Sequence, residues 1–120
     1  MSWKKVIHIL QGLLVLNQNR DFKKLYEKGK YYVHPCLVTY VGKNKKKQRR
    51  VGITASKKIG NAVKRNRSRR IIRQAFRELY PYVSGDWDVV FVARAKTPQM
   101  KSGEIKRVMY GQLKAAGIIK

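Results

Sequence analysis

Arginine recurs at every fourth position of one segment, at Arg65, Arg69, Arg73 and Arg77. Side chains four residues apart lie on the same face of an α-helix, so this spacing predicts a ladder of guanidinium groups. Like charges at this spacing destabilise a helix by about 0.2–0.5 kcal/mol per pair, which indicates that the ladder serves binding rather than stability. A guanidinium group binds phosphate oxygens through paired hydrogen bonds and stacks on bases. The segment is therefore predicted to recognise nucleic acid.

An apolar stripe runs beside the arginines. At about 100° per residue, one arc about 140° wide holds Ile71, Ile72, Ala75, Phe76 and Leu79. The adjoining arc holds five polar side chains: Asn66, Arg69, Arg70, Arg73 and Arg77. The pattern predicts a helix over residues 62–80. Its apolar stripe anchors the helix, and its adjoining arc presents the cations. Helix N-termini also favour anions, so we expect phosphate contacts from Lys57, Lys58 and Asn61, just before this helix.

Aromatic side chains form a second candidate site. Phe22 and Tyr26 share one face of a predicted helix over 21–28, and Tyr40 lies on the adjacent predicted strand. Single-stranded nucleic acid binds to aromatic rings inside a basic groove, so these rings are candidates for base stacking. The alternative interpretation is that Phe22 and Tyr26 simply pack the helix onto the sheet.

The overall charge supports a polyanionic partner. The chain carries 29 Lys and Arg against 6 Asp and Glu, a net charge of +23. This balance disfavours a metal-cluster protein, and the 43% of hydrophobic residues disfavour a disordered basic tail. Cys36 is the single cysteine, so we expect no internal disulfide or cysteine zinc site, and a reducing, cytoplasmic setting.

The acidic and histidine residues do not form a catalytic pattern. A protein nuclease needs carboxylates that hold metals, or a histidine pair for acid–base chemistry. The 6 acidic residues are scattered, and His8 and His34 lie far apart. Asp86 and Asp88 could hold magnesium weakly, although acids at a turn beside a strand are the simpler interpretation. We expect no catalytic site and no tightly bound metal on this chain.

Periodicity and turn residues predict one α+β domain in the order α-β-β-α-β-α, with helices packed on a small mixed sheet. The predicted strands are Tyr31–Val41, Val51–Ser56 and Trp87–Ala93, and the helices cover residues 21–28, 62–80 and 102–116. Pro35 suggests an edge position or a bulge. We expect the first two strands to form a hairpin, and the third, with its nearly continuous apolar run, to be buried on both faces.

The first residues, Met1–Leu16, superficially resemble a secretion signal because lysines precede an apolar stretch. His8 and Gln11 interrupt that stretch, and no small-residue cleavage motif follows it. It is also too short to span a membrane. We expect residues 1–15 to be a lead-in segment and no membrane to be involved.

Residues 57–78 read KKIGNAVKRNRSRRIIRQAFRE, a pattern centred on Arg65-Asn66-Arg67. This run closely resembles the family of bacterial ribonuclease P protein components. Further likeness lies in Asn19-Arg20-Asp21-Phe22, in the run from Asp88 to Arg94 and in the last helix. The resemblance extends from about residue 16 to the end. Residues 16–120 are therefore expected to be a ribonuclease P protein-like RNA-binding domain.

The resemblance implies a protein subunit that binds a large catalytic RNA and helps to remove the 5′ leader of precursor tRNA. In this family the RNA holds the magnesium ions and performs the chemistry, and no obligate protein partner is expected. The resemblance also implies a left-handed β-α-β crossover. The residues expected to bind the catalytic RNA are Lys57, Lys58, Asn61, Arg65, Asn66, Arg67, Arg69, Arg70 and Arg73. The leader is expected to bind in a cleft formed by Phe22, Tyr26 and Tyr40.

Two other classes of protein share parts of this pattern. A ribosomal-type structural RNA-binding protein would have the same charge, size and fold class but no aromatic cleft for a single strand. A cationic membrane-active or DNA-compacting protein would explain the charge but not the ordered apolar periodicity. The residue pattern over 57–78 favours the ribonuclease P resemblance.

Overall fold

The computed structural model of the protein describes residues 12–120. The strands and helices follow in the order β1 (Leu13–Val15), α1 (Asn19–Lys28), β2 (Lys30–His34), β3 (Leu37–Gly42), β4 (Arg49–Thr54), α2 (Ala62–Leu79), β5 (Trp87–Ala93) and α3 (Ser102–Ala115). Short 3₁₀ turns cover Lys57–Ile59, Tyr80–Tyr82 and Thr97–Gln99. No helix within residues 12–120 is both long and apolar enough to cross a membrane.

The strands form one mixed sheet in the order β1-β4-β5-β3-β2. Strand β4 pairs in parallel with both β1 and β5. Strand β3 pairs antiparallel with both β5 and β2. The predicted α+β class and the order of the main elements are confirmed, and the structure adds two strands, β1 and β2, to the three expected.

The predicted strand Tyr31–Val41 is in fact a hairpin. Lys30–His34 and Leu37–Gly42 are separate strands that face each other, and the chain turns at Pro35 and Cys36. The imidazole Nδ1 of His34 accepts a hydrogen bond from the backbone N–H of Cys36 at 3.1 Å, which supports the turn. The predicted bulge or edge position for Pro35 is wrong, because proline lacks a backbone N–H and here occupies the turn itself.

The predicted hairpin between the first two predicted strands, Tyr31–Val41 and Val51–Ser56, is also wrong. Strand β5 lies between β3 and β4 and pairs with both of them. This central position agrees with the prediction that β5 is buried on both faces, since Val89 and Phe91 lie in one hydrophobic cluster and Val90 in another. Helix α2 connects the parallel neighbours β4 and β5, which confirms the β-α-β crossover. The left-handed sense of this crossover stays a prediction.

Helices α2 and α3 pack on one face of the sheet. Their buried residues include Ile72, Phe76, Ile105, Met109 and Leu113, all completely shielded from solvent. The ring of Phe76 contacts those of Phe91, Trp87 and Tyr80. Burial of the apolar arc predicted for α2 anchors this helix and turns its adjoining arginine arc away from the core.

Helix α1 crosses the opposite face of the sheet. It contributes Leu25 to a smaller cluster with Leu16 and Val90, and Phe22 and Tyr40 pack against that cluster. The predicted lead-in segment lies mostly outside the described residues, but its last three residues form β1, and the N–H of Leu16 donates to the carbonyl of Val51.

Candidate nucleic-acid interface

The arginine-rich helix begins at a defined cap. The side-chain Oδ1 of Asn61 accepts a hydrogen bond from the backbone N–H of Lys64 at 3.0 Å. This N-cap satisfies one of the free N–H groups at the helix start. Lys57 and Lys58 lie in the exposed 3₁₀ turn just before it. Asn61 therefore has a structural role, and its contact with RNA stays a prediction.

Three arginines of the predicted site are held by the protein itself. Arg65 Nη1 donates to the carbonyl of Gly60 at 2.9 Å. Arg69 donates to Asn66 Oδ1 at 3.1 Å and to the carbonyl of Ala55 at 3.4 Å. Arg73 Nε donates to the carbonyl of Arg69 at 3.3 Å. These bonds fix the direction of the guanidinium groups before any ligand binds.

The other two predicted arginines are free to bind a ligand. Arg67 and Arg70 are exposed, and neither guanidinium group has a hydrogen bond or ion pair with any described residue. Burial, together with the charges of Arg69 and Arg70, lowers the pKa of Arg73. Arg69, Arg70 and Arg73 lie near one another on this helix, and no described acid forms an ion pair with them, as expected where phosphate is the counterion.

The aromatic cleft is built on a glycine of β4. A Cβ atom at Gly52 would come within 2.8 Å of Phe22 Cε1, so only glycine lets the ring of Phe22 lie this close to the strand. Gly42 receives Leu25 in the same way, because a Cβ atom there would lie 2.7 Å from Leu25 Cδ1. These close approaches set helix α1 directly on the sheet and fix the floor of the cleft.

Four rings follow one another across the cleft. The ring centroids of Phe22 and Tyr26 lie 6.4 Å apart, and those of Tyr26 and Tyr40 lie 4.8 Å apart. Tyr31 continues the row, 5.9 Å from Tyr40. The structure thus brings the three predicted aromatic residues together and adds one that the sequence prediction missed. The strand register would have identified Tyr31, because Tyr31 pairs with Tyr40 across the β2–β3 hairpin, but that hairpin was not predicted.

The cleft opens toward solvent and carries a cation at its edge. A groove of about 310 Å³ is lined by Tyr26, Val38, Tyr40, Val92 and Arg94, together with Ala93. Tyr26 is 41% exposed and Tyr31 is 64% exposed, so their rings are accessible to a ligand. Exposed rings beside a basic side chain match the requirements for stacking unpaired bases.

Two carboxylates near the cleft are occupied by an arginine. Arg50 donates to Asp88 through Nε at 2.8 Å and Nη2 at 2.7 Å, and its Nη1 reaches Asp21 Oδ2 at 3.3 Å. Asn44 donates a further bond to Asp88 at 3.0 Å. The bond to Asp88 is the main cause that raises the pKa of Arg50. Because the guanidinium occupies both acids, they do not fit a magnesium ion.

Relatives with known names align with most of the chain. The ribonuclease P protein component of Oceanobacillus iheyensis is 38% identical over 106 residues, covering 88% of this chain and 88% of that protein. That of Clostridium beijerinckii is 36% identical over 110 residues, covering 86% of this chain and 88% of that protein.

Solved structures agree with this likeness. The RNase P protein of Staphylococcus aureus superposes with a TM-score of 0.77 at 32% identity, covering 88% of this chain and 97% of that one. The RNase P protein of Thermotoga maritima gives a TM-score of 0.70 at 25% identity, with 80% and 91% covered.

An arginine-rich helix and a basic aromatic cleft on a small α+β domain are features of the class of nucleic-acid-binding proteins. A family model described as Ribonuclease P matches residues 10–117. The chain belongs to the ribonuclease P protein family, whose members are the protein component that acts with an RNA in the 5′ maturation of tRNA. This membership decides against the ribosomal and membrane-active alternatives.

Proposed function

We propose that this chain binds the catalytic RNA of ribonuclease P through α2 and the 5′ leader of precursor tRNA in the aromatic cleft. Binding of both promotes hydrolysis of the phosphodiester bond at the mature 5′ end. The observation that carries this proposal is the row of four rings, Phe22, Tyr26, Tyr40 and Tyr31, on the face of the sheet opposite α2. Two separate binding surfaces suit a protein that holds two RNA segments.

The cleft suits a single strand rather than a duplex. Base stacking on an aromatic ring contributes about 1–3 kcal/mol per base and tolerates any base, as a leader of variable sequence requires. The exposed rings of Tyr26 and Tyr31 provide stacking surfaces, and Arg94 provides a cation for a phosphate group. Phe22 supports Tyr26 from the floor of the cleft, where it packs over Gly52.

The helix surface suits the phosphate backbone of a folded RNA. Arg67 and Arg70 are exposed and unpaired within the described part of the chain, so they can bind without breaking internal bonds. Arg65 and Arg69 have preset directions, which lowers the entropic cost of binding. Lys57 and Lys58 extend the same surface before the helix.

The catalytic groups belong, in this proposal, to the RNA subunit. The described residues contain no group of three or more His, Cys, Asp or Glu side chains that could hold a metal ion. We therefore assign the magnesium ions of the ribonucleoprotein to its RNA. The buried free thiol of Cys36 is compatible with the reducing cytoplasm, where we place the complex, and we propose no obligate protein partner.

The decisive experiment is cleavage of precursor tRNA at low magnesium by the protein, by the catalytic RNA and by both together. We expect only the mixture to cut efficiently at the mature 5′ end. Cleavage by the protein alone would reveal an active site on this chain. If the protein adds nothing to the RNA, the structural RNA-binding alternative is the better explanation.

Two variants separate the proposed surfaces. Arg67→Ala with Arg70→Ala should weaken binding to the catalytic RNA and flatten its salt dependence by about two charges. Lys23→Ala removes one exposed cation of α1 and controls for the loss of charge away from α2. Tyr26→Ala should weaken binding of precursor tRNA by the assembled complex and leave binding of mature tRNA unchanged, whereas Tyr26→Phe keeps the ring. Equal loss of both functions in both variants would contradict two separate surfaces.

A further inference from the structure

A second aromatic groove lies on the helical face of the sheet, away from the cleft. It has a volume of about 460 Å³ and is lined by Leu79, Tyr82, Ser84, Lys106, Tyr110, Ile119 and Lys120. A neighbouring hollow of about 350 Å³ shares Leu79, Lys106 and Tyr110 and adds Arg107. Together they form one continuous surface, here named the tyrosine groove. Each part has the size of a small-molecule site.

The two tyrosines of this groove are unusually accessible. Tyr82 is 66% exposed and Tyr110 is 41% exposed. Tyr82 ends the 3₁₀ turn that follows α2, and Pro81 restricts the backbone within that turn. Tyr110 projects from α3, a helix whose buried side packs against α2. Single exposed aromatic residues are common, but here two of them frame one groove with an apolar floor of Leu79 and Ile119.

The charged side chains that line the tyrosine groove are all positive among the described residues. Lys106, Lys120 and Arg107 line it, and no described Asp or Glu does. The nearest acid along α3, Glu104, accepts a hydrogen bond from the N–H of Lys101 as part of the helix cap. Glu78 is exposed beside Leu79 in the chain but does not line the groove. Lys114 Nζ lies 5.7 Å from the centroid of Tyr110, which adds a further cation.

The groove is not an extension of the surfaces already described. Leu79 lies at the C-terminal end of α2, thirteen residues after Asn66, which places it about 20 Å along the helix axis from the Arg65–Arg67 turn. The aromatic cleft lies on the other face of the sheet, beneath α1. A ligand in the tyrosine groove would therefore be a different segment from one bound at either of those surfaces.

We propose that the tyrosine groove is a second binding site for single-stranded RNA. Bases stack on Tyr82 and Tyr110, and phosphate groups pair with Lys106 and Lys120. Aromatic rings within a groove of cations are the arrangement that binds unpaired nucleotides without sequence preference. A second copy of this chain fits less well, because the net charge of +23 makes two copies repel each other.

The test uses the full chain and a short oligonucleotide of 4-thiouridine, which forms photochemical crosslinks with the residues it touches. Mass spectrometry should find crosslinks in two regions, one around Tyr26 and Tyr40 and one around Tyr82 and Tyr110. Tyr82→Ala with Tyr110→Ala should abolish the second set and keep the first. Both side chains are exposed, and thermal unfolding will verify that the variant folds.

Affinity and assembly state complete the test. Tyr82→Phe with Tyr110→Phe, which keeps both rings, should crosslink like the unaltered protein. In a protein that already carries Tyr26→Ala, the alanine pair should lower the affinity by about 30-fold or more, the smallest loss expected for two stacked bases. Unchanged crosslinks and affinity in the alanine pair would overturn the proposal. The proposal would also be overturned if sedimentation showed dimers that depend on these tyrosines and no crosslinks formed in this region. If crosslinks form around Tyr82 and Tyr110 but not around Tyr26 and Tyr40, the result would contradict the proposed function and support the second site.

Discussion

Substitution of Gly52 by alanine tests how the aromatic cleft is built. The added Cβ atom would lie 2.8 Å and 2.9 Å from two carbons of the Phe22 ring, and 3.3 Å from the carbonyl oxygen of Leu16. The first two distances are far shorter than a normal carbon–carbon contact of about 3.5–4.0 Å. The ring must therefore move, since the backbone of a paired strand gives way less easily.

The size of the effect follows from this geometry. Forcing extra carbon into a packed site costs about 1–3 kcal/mol. Displacement of Phe22 also shifts Tyr26, whose ring lies 6.4 Å away and forms part of the stacking surface. We therefore expect Gly52→Ala to lower the free energy of unfolding by about 1–3 kcal/mol and to weaken binding of precursor tRNA more than binding of the catalytic RNA.

Urea unfolding and leader binding provide the assay, and the chain offers a matched control. A Cβ atom at Gly111, within α3, would meet nothing within 4 Å. Gly111→Ala should stabilise the protein by about 1 kcal/mol, because alanine has the higher helix propensity. The same substitution is therefore expected to destabilise the protein at Gly52 and to stabilise it at Gly111. In a chain that already carries Phe22→Ala, Gly52→Ala should cost little, because its clashing partner is gone.

Three results would contradict this reasoning. If Gly52→Ala costs as much with Phe22→Ala as without it, the ring is not what occupies the space above Gly52. If Gly52→Ala is as stable as the unaltered protein, the close approach between strand and ring does not exist in solution. A stable Gly52→Ala protein with intact leader binding would also remove Phe22 as the floor of the cleft.

Two further predictions concern the polar groups that hold the fold together. The side chain of Gln112 forms hydrogen bonds with Thr39, Tyr32 and Leu37. Gln112→Leu should therefore lower the free energy of unfolding by about 3 kcal/mol, and the addition of Thr39→Val should recover part of that loss. Urea titration measures both effects, and a loss under about 1 kcal/mol for Gln112→Leu would contradict this prediction. Asp88→Asn should cost about 1.5–3 kcal/mol by weakening the paired bond with Arg50, and unchanged thermal unfolding would argue against that bond.

The sequence predicts local features of this protein well. Helix α2 and its two arcs follow from the spacing of apolar and basic residues alone, and the structure buries Ile72, Ala75 and Phe76 as that spacing requires. The burial of β5 on both faces follows in the same way from its nearly continuous apolar run. Each of these features depends on residues within one element.

Features that depend on distant residues were missed. One local signal was also misread: Pro35 interrupts the run of aromatic and β-branched residues at the turn, and it was interpreted as an edge position or a bulge within one strand. The pairing partner of β3 is β5 rather than β4, and nothing in either strand specifies that choice. Tyr31 was missed as a consequence, because its place in the cleft depends on the register of the unrecognised hairpin.

The central position of β5 determines when the molecule can fold during its synthesis. Strands β1 and β4 form one ribbon, β2 and β3 form another, and both ribbons depend on β5 to join them. An isolated two-stranded ribbon is at best marginally stable in water. A nascent chain that has not yet reached Ala93 therefore has two strongly basic fragments with no common core. We therefore expect the sheet to assemble only after translation has delivered β5 and thus most of the polypeptide, and until then this cationic nascent chain is exposed to cellular polyanions.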